Sequence, residues 1–140
     1  MIRVVVADDS PMMCELLADL LEASGEIEVV AVAGDVPELL DTIAETLPDV
    51  VVTDVRMPPA ASDEGVRVAE QLRDAHPRIG VVVLTQYPDP VLAARVLTGS
   101  GARRAWVQKE RVNHERQLVA AVKTVHAGGT WIDPRAAPAS

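Results

Sequence analysis

Five side chains in this sequence have types and positions suited to chemistry. Asp8 and Asp9 stand together where an apolar run, Val4-Val5-Val6-Ala7, stops, and a helix-start signal, Ser10-Pro11, follows at once. Asp54 closes a second apolar run, Thr85 a third and Lys109 a fourth. Three carboxylates drawn into one place repel one another and push up a pKa. A hard divalent cation removes that penalty, and Mg²⁺ takes one or two carboxylates together with waters and phosphate oxygens. Asp8 and Asp9 read as metal holders. Asp54, alone on its run, suits both ligation and nucleophilic attack, and a carboxylate that attacks phosphorus becomes an aspartyl phosphate. Lys109 would neutralise phosphoryl charge, and Thr85 would donate a hydrogen bond to a phosphoryl oxygen.

Each residue also has a plainer reading. Asp8-Asp9-Ser10 makes an ordinary solvated helix cap, with Pro11 at the first helical position. Thr85 taken singly is a strand-end hydroxyl, Lys109 a solvated cation and Trp106 a core filler. The chemical reading rests on all of them being present at once.

The elements that must position these groups alternate along the chain. Short β-branched runs fall at 2–7, 27–33, 49–54, 79–85 and 104–109. Between and after them lie stretches with helical apolar spacing, at 11–23, 36–47, 64–75, 90–98 and 113–127. The first helical stretch places Met13, Leu16, Leu17, Leu20 and Leu21 on one face, and the second places Leu39, Leu40, Ile43 and Leu47. Strands alternating with helices mean βαβ units, right-handed crossovers and a parallel sheet covered on both faces. The runs ending at Ala7, Asp54 and Thr85 are continuously apolar, as strands buried on both faces must be. In such open sheets ligands bind beyond the carboxyl ends of the strands, where strand order reverses. All five groups sit at those ends. If the strands ending at Asp8, Asp54 and Thr85 are neighbours, the groups converge.

Composition bounds the alternatives. At 140 residues and 49% hydrophobic, the chain is expected to be one globular domain with one core. With no Phe, two Trp and one Tyr, that core must be aliphatic. A formal charge of −8 argues against nucleic acid contact by this chain and against an anionic membrane surface. Cys14 is the only cysteine, which excludes an internal disulfide, and its helical neighbours make it a packed thiol. No segment reaches the ~20 apolar residues of a membrane span, and the first apolar run is too short for a signal peptide. The expected location is cytoplasmic. Residues 1–129 are expected to form the domain, and 130–140, Ala- and Pro-rich, a C-terminal tail that begins a linker to an absent output domain.

The motifs "ADDS" (7–10), "DVRMP" (54–58) with Gly65 downstream, "VVLTQY" (82–87) and "AWVQK" (105–109) together resemble a receiver domain of two-component response regulators, related to the chemotaxis regulators. The resemblance spans about residues 1–127. It implies a doubly wound (βα)5 parallel sheet of order 2-1-3-4-5, the flavodoxin-like arrangement. It implies that Asp54 is the phosphoacceptor for a histidine kinase. Mg²⁺ would be bound by Asp9, Asp54 and the backbone carbonyl of Arg56, with Asp8 acting mainly through water. Lys109 matches the family's phosphate-binding lysine, Thr85 its switch hydroxyl and Trp106 its switch aromatic. Arg56 and Tyr87 occupy positions that tune phosphate lifetime. A homodimer on phosphorylation is a further implication. Such a domain signals; its own catalysis is limited to phosphotransfer and autodephosphorylation.

Two departures from the family pattern stand out. Gln86 replaces a residue that is often small, which narrows access to Asp54, and Glu110 replaces a common proline. The second, with "MPPAASDEG" (57–65) and "AGGTWIDP" (127–134), resembles the branch attached to LuxR/NarL-type DNA-binding domains, which implies control of transcription in a longer protein. Two other functions compete. A pseudo-receiver would bind partners without phosphate, but it would lack an acidic residue or the lysine. A Mg²⁺-dependent phosphohydrolase of the haloacid dehalogenase type needs an Asp two positions beyond its nucleophile, and position 56 is Arg.

Overall fold

The computed structural model describes residues 1–58, 62–86, 89–97, 102–108 and 115–132. The elements are β1 (Ile2–Ala7), α1 (Pro11–Glu22), β2 (Ile27–Ala33), α2 (Val36–Thr46), β3 (Val50–Asp54), α3 (Glu64–Ala75), β4 (Gly80–Thr85), α4 (Pro90–Leu97), β5 (Arg104–Gln108), α5 (Glu115–His126) and β6 (Thr130–Ile132). The strands form one sheet in the order β2-β1-β3-β4-β5-β6, and every neighbouring pair is parallel. This is the doubly wound arrangement expected, with one strand more.

The extra strand lies in the segment that shows no periodicity. Thr130, Trp131 and Ile132 pair with Arg104, Ala105 and Trp106 along the outer edge of β5. Trp131 packs its partly buried ring against the core. Three residues are too few to display a hydrophobic period, so only the tertiary contact reveals them as a strand.

The pleat sorts the aliphatic runs onto two faces. Val5, Ala7, Val51, Val81, Val83 and Trp106 meet Leu39 and Ile43 of α2, Val66 and Leu72 of α3, and Ala93 and Val96 of α4. Val4, Val6, Val50, Val52, Val82 and Leu84 meet Leu17 and Leu21 of α1 and Leu118, Val122 and Val125 of α5. Strands β3, β4 and β5 are buried along their whole length, because helices cover both of their faces.

The helix ends follow local chemistry. Ser10 caps α1, its Oγ accepting from the Met13 N–H at 3.2 Å. Asp35 caps α2 through the Glu38 N–H at 2.8 Å, and Glu38 reaches back to the Gly34 N–H at 2.8 Å, a reciprocal cap at the mouth of the helix. Two apolar positions depart from the expected faces. Leu47 does not extend α2: it adopts φ 45° as the left-handed cap and is 57% exposed. Leu16 is 40% exposed, and Cys14 takes a core place beside Leu17 and Leu21 instead.

At the edge strand β2, the pairing with β1 shifts between Val4 and Val5, leaving Val30 out of register. The Val29 N–H on this strand is met by the Glu22 carboxylate at 3.3 Å.

One buried charge lies at the opposite end of the sheet from the acidic residues. The Arg104 guanidinium is 1% exposed and donates to the carbonyls of Ala69 (2.9 Å), Arg103 (2.9 Å) and Ile79 (3.3 Å). Burial, with a smaller contribution from the Arg73 charge, lowers its pKa to about 10. It ties α3 to the starts of β4 and β5. Nothing in the sequence distinguishes it from a solvated strand-end arginine.

Candidate functional site

Chain order sends β1 to β2 on one side and then to β3 on the other, so strand order reverses between β1 and β3. At that crevice Asp8 and Asp9 follow β1, and Asp54 ends β3. One carboxylate oxygen from each of the three lies within 4.8 Å of the others. Asp8 is 2% and Asp54 8% exposed, and Asp9 faces solvent.

Backbone ties hold these groups. The Asp8 N–H donates to the Ala33 carbonyl at 3.0 Å, and Asp8 Oδ1 accepts from the Ser10 N–H at 2.9 Å. Cys14 Sγ donates to the Asp8 carbonyl at 3.3 Å. Burial, and then the Asp8 charge, push the Cys14 thiol above its ordinary pKa, so it is a packing group and not a nucleophile. On β3, the Val55 N–H donates to the Leu84 carbonyl at 2.9 Å, and the Gly65 N–H to the Val55 carbonyl at 2.8 Å. These bonds carry β3 one residue past its last ladder pair and seat the start of α3 behind Asp54.

Thr85 ends β4, one residue beyond the register partner of Asp54, and is 5% exposed. Its own partner on β5 is Gln108, the last described residue before Lys109. Trp106 lies two residues earlier, fully buried between Val83 and Ile132. Its Nε1 has no hydrogen-bond partner among the described residues. Arg56 is exposed two residues past Asp54. Lys109 and Tyr87 lie outside the described residues. The structure therefore gathers Asp8, Asp9 and Asp54, with Thr85 on the adjacent strand tip. It places Trp106 deeper, in the core under α4.

The donor set fits Mg²⁺. All three side chains offer hard oxygens. Octahedral coordination at 2.0–2.1 Å puts two bound oxygens about 3 to 4 Å apart, and one oxygen from each of these carboxylates already lies within 4.8 Å of the others.

A doubly wound parallel sheet with converging carboxylates at its switch point defines a domain of flavodoxin-like fold with an acidic crevice. Residues 4–123 match the family model described as the response regulator receiver domain, and the chain belongs to that family of signalling domains. It is 32% identical over 134 residues to the transcriptional regulatory protein LnrK of Bacillus subtilis, covering 96% of this chain and 58% of that protein. It is 34% identical over 140 residues to the DNA-binding transcriptional activator DevR/DosR of Mycobacterium tuberculosis, covering 99% and 61%. The chain thus spans about three fifths of the length of these relatives. Among solved structures, the signal receiver domain of a Mycobacterium tuberculosis response regulator, NarL, superposes with a TM-score of 0.77 at 31% identity, covering 91% of this chain and 97% of that one. The isolated receiver domain of Salmonella enterica RcsB, with the phosphomimetic BeF3−, gives 0.80 at 20% identity, covering 96% and 95%. That second likeness concerns fold alone.

Proposed function

We propose that this chain is a phosphorylation-switched receiver in which Asp54 accepts a phosphoryl group from a histidine kinase. The observation that carries this reading is the meeting of Asp8, Asp9 and Asp54 within 4.8 Å at the switch point, with the Thr85 hydroxyl on the next strand tip. Asp54 Oδ attacks phosphorus, the phosphorus–nitrogen bond of the donor phosphohistidine breaks, and the electron pair stays on the imidazole. A bound Mg²⁺ would neutralise charge on the acceptor carboxylate and the incoming phosphoryl oxygens. Asp9, Asp54 and the Arg56 carbonyl would hold it directly, and Asp8 through water. Lys109 neutralises a phosphoryl oxygen and Thr85 donates to another. Arg56 and Tyr87 set how long the phosphate survives.

The phosphoryl group adds nearly two negative charges, and full reversal of a 1:99 equilibrium needs about 5.5 kcal/mol of differential stabilisation. Thr85 drawn inward defines the favoured state, and Trp106 stays inward in it. The altered surface then governs dimer formation and, through a segment after residue 129, an output domain that controls transcription. The relatives named as transcriptional regulators support that last step. A cytoplasmic location follows from this role. Among the described residues no helix is long and apolar enough to cross a membrane.

The test is incubation with acetyl phosphate and Mg²⁺, followed by intact mass. A gain of one phosphate, lost in Asp54→Asn, supports the reading. No gain points to a pseudo-receiver, and sustained turnover of phosphate esters points to a hydrolase.

A further inference from the structure

We infer that Arg95 couples helix α4 to the backbone of the acceptor strand, acting as a positioning residue for the site. The inference rests on the receiver reading and specifies its regulation. Arg95, in the last turn of α4, spans two carboxylates, one on α3 and one at its mouth. Its Nη2 and Nε donate to both oxygens of Glu70, at 2.7 and 3.3 Å, and its Nη1 donates to Asp63 at 2.8 Å. Planar, two-pronged recognition of this kind fixes geometry as well as distance. Asp63 is the residue at the mouth of α3, yet its carboxylate makes no capping bond to that helix. It meets Arg95, Arg67, whose Nε lies 2.9 Å away, and the Ser62 hydroxyl, which donates to it at 3.4 Å.

Two residues further on, Gly65 meets the acceptor strand. Its N–H donates to Val55, and a Cβ there would collide with the Asp54 carbonyl. Asp54 is therefore linked to Arg95 and α4 by the packing of Gly65 on its peptide, the two-residue step of chain back to Asp63, and the Asp63–Arg95 bond. A second link, from Arg73 Nη2 to the Val96 carbonyl at 2.7 Å, grips the same end of α4. The other end is held differently: Asp89 Oδ1 accepts from the Leu92 N–H at 3.0 Å, and Val91 is 71% exposed. Helix α4 is pinned to α3 at its C-terminal turn, which leaves the end nearer Thr85 as the part that responds to the site.

The test uses the whole chain with Mg²⁺ and beryllofluoride as the phosphoryl mimic. Arg95→Ala is expected to weaken beryllofluoride binding by about 2- to 30-fold, the span of measured coupling effects. It should also speed hydrogen exchange in 90–97 while leaving α5 protected, which serves as the folding control. Asp63→Asn should weaken binding similarly, and the double variant should lose less than the sum of the two singles, as residues sharing one contact do. Arg95→Lys, which keeps the charge but not the fork, should fall in between. Wild-type affinity in Arg95→Ala overturns the coupling, as do losses that add in the double variant. Failure of the wild-type chain to bind beryllofluoride overturns the receiver reading itself, and this inference with it.

Discussion

Gly65 sits directly against the peptide of Asp54. A Cβ on Gly65 would strike the Asp54 carbonyl oxygen and lie 2.9 Å from its carbonyl carbon and 3.1 Å from Val55 Cα. Those atoms are backbone and cannot swing aside. The first turn of α3 thus forms the wall behind Asp54.

Gly65→Ala should therefore do more harm than a helical Gly→Ala change normally does. Overpacking against fixed backbone costs about 1–3 kcal/mol, against the modest gain that alanine gives a helix interior. Urea unfolding reads the stability loss. Displacement of Asp54 should also blunt the thermal response to Mg²⁺.

Mg²⁺ should stabilise the wild-type chain by mass action, about 2.7 kcal/mol at a hundredfold excess over its dissociation constant. Asp9→Asn replaces a charged carboxylate with a neutral amide, a far weaker partner for a hard cation, and should respond far less in the same thermal melts. Equal responses from the two proteins would remove Asp9 from the ligand set.

The core position of Trp106 predicts its spectroscopy. The chain has two tryptophans, so Trp131→Phe leaves Trp106 as the sole reporter. Its emission should be blue-shifted and shielded from acrylamide before any phosphoryl mimic is added, since the ring is 0% exposed. Red, quenchable emission would show that the ring leaves the core in the resting state. Trp106→Ala should cost about 3–5 kcal/mol. Trp106→Phe should cost less, because it also removes a buried N–H that lacks a partner among the described residues.

Acid should dissolve the α3–α4 bridge. The hydrogen bond from Arg95, and then the Arg67 and Arg95 charges, hold the Asp63 carboxyl below its ordinary value of 3.8. A depressed carboxyl contributes stability that is fully present above the unfolded pKa and disappears as pH falls through the folded one. Wild type should exceed Asp63→Asn by about 0.2–1 kcal/mol at neutral pH, the range for surface ion pairs. The gap should close only below pH 3.8. A gap that persists unchanged into strong acid would assign it to packing.

Much of the fold and the acidic site is legible in the sequence, for reasons that particular residues make plain. Val50–Val52 and Val81–Val83 are continuous because helices cover both of their faces, so the parallel sheet is written into composition. Asp8, Asp9 and Asp54 end such runs, and the ends of parallel strands share one rim. What the sequence conceals depends on long-range contact. Thr130–Ile132 is a strand only because β5 offers an edge, and Arg104 is buried only because three carbonyls converge on it. The Arg95–Asp63 pair spans 32 positions and has no local signature. Leu47 reads as apolar periodicity, yet it serves as a left-handed cap. Lys109 and Tyr87 lie outside the described residues, and their roles rest on motif position.

The two outer strands of the sheet have a shared consequence for solubility. An unpaired strand margin invites another chain to zip onto it. On one side the register slip at Val30 breaks the straight row of amides, and Glu22 occupies the Val29 N–H. On the other, β6 is three residues long and offers little length for recruitment. Among the described residues, both margins of this valine-rich sheet therefore offer little straight, unoccupied backbone onto which a second chain could add.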